Sequence, residues 1–392
     1  MTSATTCPTV NWTYPTQVRF GPGRLKELPE ACKSAGIARP LIVTDPGLAR
    51  LPMIDRVREL LAAAGLEAAL FSDLRPNPVY RNVEDGMRAF RAGGHDGVVA
   101  IGGGSGLDTG KAIAFQVGQR RPIWDFEDIG DWWTRADPDS IAPVVAIPTT
   151  AGTGSEVGRA AVITNEETHR KYIIFHPRMM PRVVISDPEL STGLPPRITA
   201  ATGMDALAHN LEAYCAPSYH PIAEGVALEG IRLIKEWLPV AYRDGKNLVA
   251  RGNMLAAASM GAAAFQKGLG AIHAMSHPVG ALYDAHHGLT NAVVMPYVLA
   301  RNRPAIEEKT ARIARYLGLV QGSFIALLDW VMELRRELGI PHTLAELGVE
   351  EARIPELARM AAEDPNNGGN PVPLTAADYE PLFLNAIRGR LS

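Results

Sequence analysis

Short apolar runs alternate with helix-spaced segments through the first half of this chain, and that alternation permits few folds. PLIVTD (residues 40–45) reads as a buried strand. MIDRVRELLAAAGL follows, with Ile54, Val57, Leu60 and Leu61 at helical spacing. AALFSD is the next strand, and YRNVEDGMRAFRAGG is a helix that stops at Gly93-Gly94. GVVAIGGGS is a strand running into glycines, LDTGKAIAFQV a helix, and PVVAIPTT another strand. Strands this uniformly apolar are covered on both faces, and their alternation with helices is the pattern of a parallel sheet with right-handed crossovers.

The second half changes character. RVVISDPELSTGLPPRITAATG is rich in Pro, Gly and Ser and marks a boundary near residue 190. Beyond it, TAATGMDALAHNLEAY, IAEGVALEGIRLIKEWL, RGNMLAAASMGAAAF and SFIALLDWVMELRRELGI carry apolar residues three and four apart. At 392 residues the chain exceeds one typical core. The expected architecture is an α/β domain with a parallel sheet over residues 1–190 and an all-helical domain over residues 191–392. A cleft between them is the natural ligand site.

Charge and composition exclude several function classes. A net charge of -3, with no Lys/Arg block, argues against nucleic acid as a partner. The longest small-and-apolar run, residues 254–265, is too short to span a membrane. The opening MTSATTCPTVNWTYP lacks the basic and apolar regions of a signal peptide, so the Asn11 sequon carries no meaning. Three widely spaced cysteines (Cys7, Cys32, Cys215) give neither a disulfide framework nor a zinc site. A soluble cytoplasmic protein is expected.

Two loops at strand ends suit a nucleotide. Gly102-Gly103-Gly104-Ser105-Gly106 follows a strand and opens a helix, where glycines admit a phosphate to free N–H groups and the positive end of the helix dipole. The run fits neither GxGxxG nor the GxxxxGK phosphate loop. Ser105 as N-cap with Asp108 three residues on would instead be a capping box. Asp45, closing the PLIVTD strand, is placed to take a ribose 2′-hydroxyl and to repel a 2′-phosphate, which favours NAD over NADP; a turn-capping role is the alternative. PTTAGTGSE (residues 148–156) sets Thr149, Thr150, Thr153 and Ser155 around two glycines.

The histidines point to a metal. Asp205 and His209 are four apart on one helix face, and His273 and His277 repeat that spacing, with His286 and His287 close behind. Unpaired imidazoles are costly in segments this apolar, and carboxylate plus imidazoles suits Zn(II) or Fe(II). HExxH is absent, so this is no metalloprotease pattern. Spacing leaves open which histidines are ligands and how the backbone passes Pro278, which removes one helical N–H bond.

Taken together, GGGSGLDTGK, IPTTAGTGSE, ATGMDALAHNLEAY and GLGAIHAMSHPVGALYDAHHG resemble, in order, the signature segments of the iron-containing (group III) alcohol dehydrogenase family. The similarity runs from about Val18 to the NPVPLT segment at Asn370. The resemblance implies a dinucleotide-binding domain with a helical metal domain, a fold shared with dehydroquinate synthase. It implies Asp205, His209, His273 and His287 as ligands of one divalent ion, and His277 as a proton-relaying residue near substrate. His286 lies where the family does not require histidine. Asp45, Asn77, Gly103, Gly104, Ser105, Thr149, Thr150 and Lys171 match positions that approach NAD(P) in relatives, and Asp108 is carried with them from the same glycine motif. The resemblance implies reversible hydride transfer between a small alcohol and NAD(P), carried out by a homodimer.

Two features depart from that pattern. AAFQKGLG (Phe265, Gln266, Lys267) is one residue shorter than in many relatives and leaves the substrate open. The Trp132-Trp133 stretch reads as an ordinary covering loop. A polyol or hydroxy-acid dehydrogenase of the same superfamily, or a dehydroquinate-synthase-like lyase with Lys267 as its nearby cation, are the competing activities.

Overall fold

The computed structural model describes residues 16–168 and 170–391. The opening segment with Cys7 and the Asn11 sequon, and His169, lie outside the described residues. Strands are β1 (Gln17–Phe20), β2 (Pro40–Val43), β3 (Ala69–Phe71), β4 (Gly97–Gly102), β5 (Val144–Pro148), β6 (Ala160–Asn165), β7 (Arg170–Phe175) and β8 (Val183–Ser186). Six of them form one parallel sheet in the order β1-β8-β5-β4-β2-β3, while β6 and β7 make an antiparallel ribbon.

Every residue of β2, β4, β5 and β8 is buried, because both sheet faces are covered. Helices α1 (Leu28–Ser34) and α2 (Pro52–Ala63) share one core with Ile42, Val99, Ile101, Val145 and Ile147. Helices α3 (Tyr80–Ala92) and α4 (Gly104–Gln116) share the other with Leu41, Val43, Val98, Ala100 and Ala146. Alternate residues of one strand thus enter opposite cores.

Strand order also fixes where a ligand sits. The chain moves outward from β2 to β3, then returns past β2 to β4 and proceeds the other way to β5. The order reverses between β2 and β4, and that crevice at the strands' carboxyl ends is where open α/β sheets bind ligands. Asp45 leaves β2 there and the glycine turn leaves β4. The glycine turn thus follows β4, across the reversal from β2. β4 and β5 pair in register through Gly102↔Pro148, so the threonine loop after β5 lies beside the glycine turn.

The helical half comprises α5 (Pro196–Cys215), α6 (Pro221–Arg243), α7 (Leu248–Ala264), α8 (Ala271–Tyr283), α9 (His287–Tyr316), α10 (Phe324–Glu337), α11 (Ile354–Glu363) and α12 (Ala376–Arg388). Helix α5 is buried along nearly its whole length, and α6, α7 and α9 pack around it. Glycines permit the close approaches. A Cβ on Gly203 would lie 2.2 Å from Leu238 Cδ1, and one on Gly261 2.9 Å from His209 Cβ and 2.8 Å from Asn210 Nδ2.

Two stretches take definite form here. The stretch read as a boundary contains β8, an interior strand of the sheet. Pro278 does not interrupt α8, which runs from Ala271 to Tyr283 around it.

Gly261→Ala separates helix propensity from packing. Propensity favours alanine by about 1 kcal/mol, but overpacking against a helix-fixed Cβ costs about 1–3 kcal/mol. Urea denaturation is expected to show a net loss of stability; a gain would mean that α7 and α5 are not in this contact.

Candidate metal centre and cofactor cleft

Asp205, His209, His273 and His287 offer ligand atoms that all lie within 4.8 Å of one another. The first two project from α5, one turn apart, and His273 from the first turn of α8. His287 reaches the same point from a different helix. Helix α8 ends at Tyr283, Asp284 takes the left-handed conformation at φ 51°, and the chain turns back into α9. His286 is the N-cap of α9, its Nδ1 accepting from Leu289 N at 3.4 Å, so it spends its imidazole on the helix start. His287 then opens α9 facing the other ligands.

Neighbouring groups set the tautomers. Glu212 Oε2 lies 2.5 Å from His273 Nδ1, while Oε1 accepts from Ile272 N at 2.7 Å. His273 Nδ1 donates to the carboxylate, leaving Nε2 as the lone-pair donor. Ser276 Oγ donates to His273 O at 3.2 Å and lies 3.3 Å from His287 Nδ1, which leaves His287 Nε2 free in the same way. Glu212 was missed in the sequence reading; its signal was a carboxylate three residues past His209 in a buried helix.

The pocket holds more lone pairs than donors. Asn291 Nδ2 lies 2.7 Å from Asp205 Oδ1, 3.2 Å from His287 Nε2 and 3.3 Å from His273 Nε2. An amide has two hydrogens for those three acceptors. Asn291 Oδ1 and His209 Nδ1 are buried with no hydrogen-bond partner. Burial pushes the His209 pKa down to about 4. Burial, then the neighbouring His273 and Lys171 charges, hold His287 well below its ordinary value. For His273 burial acts downward too, but Glu212 outweighs it and the pKa is raised. Three mutually facing imidazoles, two buried and one half-buried, beside a buried carboxylate fit a divalent cation.

His277, one turn beyond His273, is held apart from this set. Its Nδ1 lies 2.7 Å from Asp364 Oδ2, and its ring stacks on that of His287 with centroids 5.5 Å apart. Asp364 lies 87 residues away in sequence, so no spacing signalled it. Phe265 packs against His209 with ring centroids 5.3 Å apart. Lys267, two residues on, is buried and points away: its Nζ donates to Ala213 O and Tyr214 O at 3.0 Å each, at the carboxyl end of α5. Gln266 is exposed.

On the sheet side, Gly103 is the N-cap of α4 and provides no side-chain cap. Ser105 is therefore inside the helix rather than its cap, and its hydroxyl donates to Pro76 O. A Cβ on Gly104 would lie 2.7 Å from Thr153 Cγ2, and one on Gly103 3.1 Å from Thr150 Oγ1, so the glycines let the two loops meet. Thr149 N donates to Gly102 O at 2.9 Å. Asp45 Oδ1 caps its own turn, accepting from Gly47 N at 2.9 Å and Leu48 N at 3.0 Å. Its Oδ2 lies 3.8 Å from where a Cβ on Gly102 would stand. Asp108 accepts from Ser155 Oγ at 2.5 Å and from Val162 N at 3.1 Å, which ties α4 to the loop after β5 and to β6.

Lys171 and Asn77 join the two halves. Lys171 Nζ donates to Asn77 Oδ1 at 2.9 Å, and Asn77 Nδ2 donates to Asp284 Oδ1 at 2.6 Å. Burial pushes the Lys171 pKa down to about 8, against the upward pull of Asp284, Asp364, Asp108 and Asp205. In the Trp132-Trp133 turn, Trp133 packs edge-on to His176 at 5.7 Å between ring centroids.

The chain matches known proteins over most of its length. Residues 15–188 match the family model for iron-containing alcohol dehydrogenase, and residues 199–387 match that for the C-terminal part of the Fe-containing alcohol dehydrogenase family. It is 40% identical over 379 residues to a 1,3-propanediol dehydrogenase of Klebsiella pneumoniae, covering 94% of this chain and 96% of that one. A 4-hydroxybutyrate dehydrogenase of Cupriavidus necator is 39% identical, covering 95% and 99%. The crystal structure of a 1,3-propanediol oxidoreductase superposes with a TM-score of 0.92 at 37% identity, covering 97% of this chain and all of that one. Fold, donor set and similarity agree: this chain belongs to the iron-containing alcohol dehydrogenase family.

Proposed function

We propose that this alcohol dehydrogenase interconverts a short primary or secondary alcohol and its aldehyde or ketone, using NAD in preference to NADP and one divalent ion, Fe(II) or Zn(II). The observation that carries the reading is the buried convergence of one carboxylate and three imidazoles within 4.8 Å, with donors too few for their lone pairs. Asp205, His209, His273 and His287 would hold the ion. When bound, the ion supplies Lewis acidity that eases ionisation of an alcohol or polarises a carbonyl, and the nicotinamide supplies hydride exchange.

The chain's own residues do the rest. Glu212 and Ser276 hold two imidazoles in the tautomer that offers Nε2. His277, with Nδ1 on Asp364, presents Nε2 as the atom that accepts a proton from substrate and passes it outward. Phe265 lies beside His209 and helps keep the reacting centre dry. The glycine turn and Thr149, Thr150, Asn77 and Lys171 orient the cofactor from the sheet side. Asp45 Oδ2 would meet the adenosine ribose, and its charge disfavours a 2′-phosphate. We divide the work at residue 190, with cofactor on residues 1–190 and metal and substrate on residues 191–392, in a homodimer of the cytoplasm. Among the described residues no helix is long and apolar enough to cross a membrane.

The names of the relatives favour a short alcohol that can carry a second polar group, such as a diol or a hydroxy acid. A dehydroquinate-synthase-like lyase needs cations for its anionic substrate, and Lys267 is committed to the end of α5.

Purified protein given NAD and a panel of short alcohols, diols and hydroxy acids is expected to generate reduced-nicotinamide absorbance. Chelation should abolish it and Fe(II) or Zn(II) restore it; no turnover of any of them by metal-loaded protein would refute the reading. NADP should be the poorer cofactor, and Asp45→Ala should narrow the gap in kcat/KM. His273→Ala is expected to lose metal by elemental analysis. His277→Ala should retain the metal and lower turnover by about 10²-fold or more, and loss of metal from it would reassign it as a ligand.

A further inference from the structure

Past α11 the chain crosses beneath α8, and it is tied down at each end. Asp364 Oδ1 accepts from Asn366 N and Asn366 Nδ2, both at 2.9 Å, leaving Oδ2 for His277 Nδ1 at 2.7 Å. Asn367 anchors the middle: its Oδ1 accepts from the Tyr379 hydroxyl at 2.8 Å, and its Nδ2 donates to Ala362 O at 3.1 Å and Leu374 O at 3.0 Å. A Cβ on Gly369 would lie 2.1 Å from Leu269 O, so the crossing is in backbone contact with the lead into α8. Asn370, buried, ends it. Its Oδ1 accepts from Ala271 N at 3.1 Å. It also exchanges amide hydrogen bonds with buried Asn302, at 2.8 Å in each direction.

The start of α8 needs such a partner. Its N-cap, Gly270, has no side chain to satisfy the free N–H groups of the first turn. Two side chains from elsewhere do so: Asn370 at Ala271 N and Glu212 at Ile272 N. The next residue is His273. The same few residues therefore fix where α8 begins, next to His273, and which way His277 faces one turn later.

We propose that residues 364–370 form a positioning strap that sets the seat of α8, so that Asn370, clamped by Asn302, holds His273 in reach of the ion while Asp364 orients His277. This rests on reading Asp205, His209, His273 and His287 as the metal site. Neither Asn302 nor Asn370 touches a ligand side chain; both act through the α8 backbone, as positioning residues.

The test is Co(II) titrated into metal-free protein, followed by its visible absorption, with thermal melting of the metal-free form in parallel. Asn370→Ala is expected to weaken Co(II) binding about 10-fold or more and to alter the absorption bands, while the metal-free protein still melts cooperatively. Asn302→Ala, which removes the clamp without touching α8, should act in the same direction and serves if the first variant does not fold. Asp364→Asn should keep Co(II) affinity and lower kcat with little change in KM. Lower melting temperatures with unchanged Co(II) affinity and spectrum in the Asn variants would reduce the strap to packing and overturn the proposal, leaving the metal reading intact. A wild-type protein that takes up no Co(II) would overturn both.

Discussion

The carboxylate of Glu212 is the interaction on which the helical half depends. It is buried between α5 and the start of α8, where an isolated charge would cost several kcal/mol. Two different donors offset that cost. One oxygen closes the first turn of α8 at Ile272 N, where the helix dipole also favours a negative charge, and the other takes the Nδ1 of His273. A single side chain therefore joins a fold-defining contact to the orientation of His273, one of the four clustered donors. Replacing it would leave two buried groups unpaired, at about 1–3 kcal/mol each.

The same economy governs the cleft. A parallel sheet places the ends of β2, β4 and β5 at one edge, and the reversal of strand order between β2 and β4 opens the crevice there. The helical half meets that edge through the polar chain Lys171–Asn77–Asp284. Asp284 is the residue that ends α8 in the left-handed conformation. The turn that brings His287 back toward His273 thus also carries the group that reaches across to the sheet. Hydride transfer requires cofactor and alcohol at fixed separation, and these bonds join the sheet edge to the helical half close to the four clustered donors.

Much of this was legible in the sequence where a single periodicity decided it. β2, β4 and β5 are continuous apolar runs because both faces are covered, α6, α7 and α10 show helical spacing because one side of each meets the core, and α5 is apolar nearly all round because helices surround it. β8 was lost among flanking prolines and glycines. The β6–β7 ribbon was lost because Arg170, Lys171 and Asn165 break its apolar pattern. Helix α9 runs through Pro296 and Pro304, residues that normally signal a break. In the site, the spacing of Asp205 with His209 exposed one half of the cluster. The four histidines of one run had to be divided between two helices, with His286 assigned to capping, before their roles separated. Glu212 stood in plain view as part of the α5 pattern, but Asp364, Asn370 and Asn291 act through contacts between distant segments, which a linear pattern does not carry.

The central claim is that Asp205, His209, His273 and His287 converge on one ion while His277 stays outside its coordination. Anomalous diffraction from crystals loaded with Fe(II) or Zn(II), recorded at the metal's absorption edge, tests it most directly. The account predicts one strong peak bonded to an Asp205 oxygen and to one nitrogen from each of the three histidines, at about 2.0–2.2 Å for zinc, with the His277 ring still on Asp364. A peak bonded to His277 or His286, or no peak among the four donors, would contradict it.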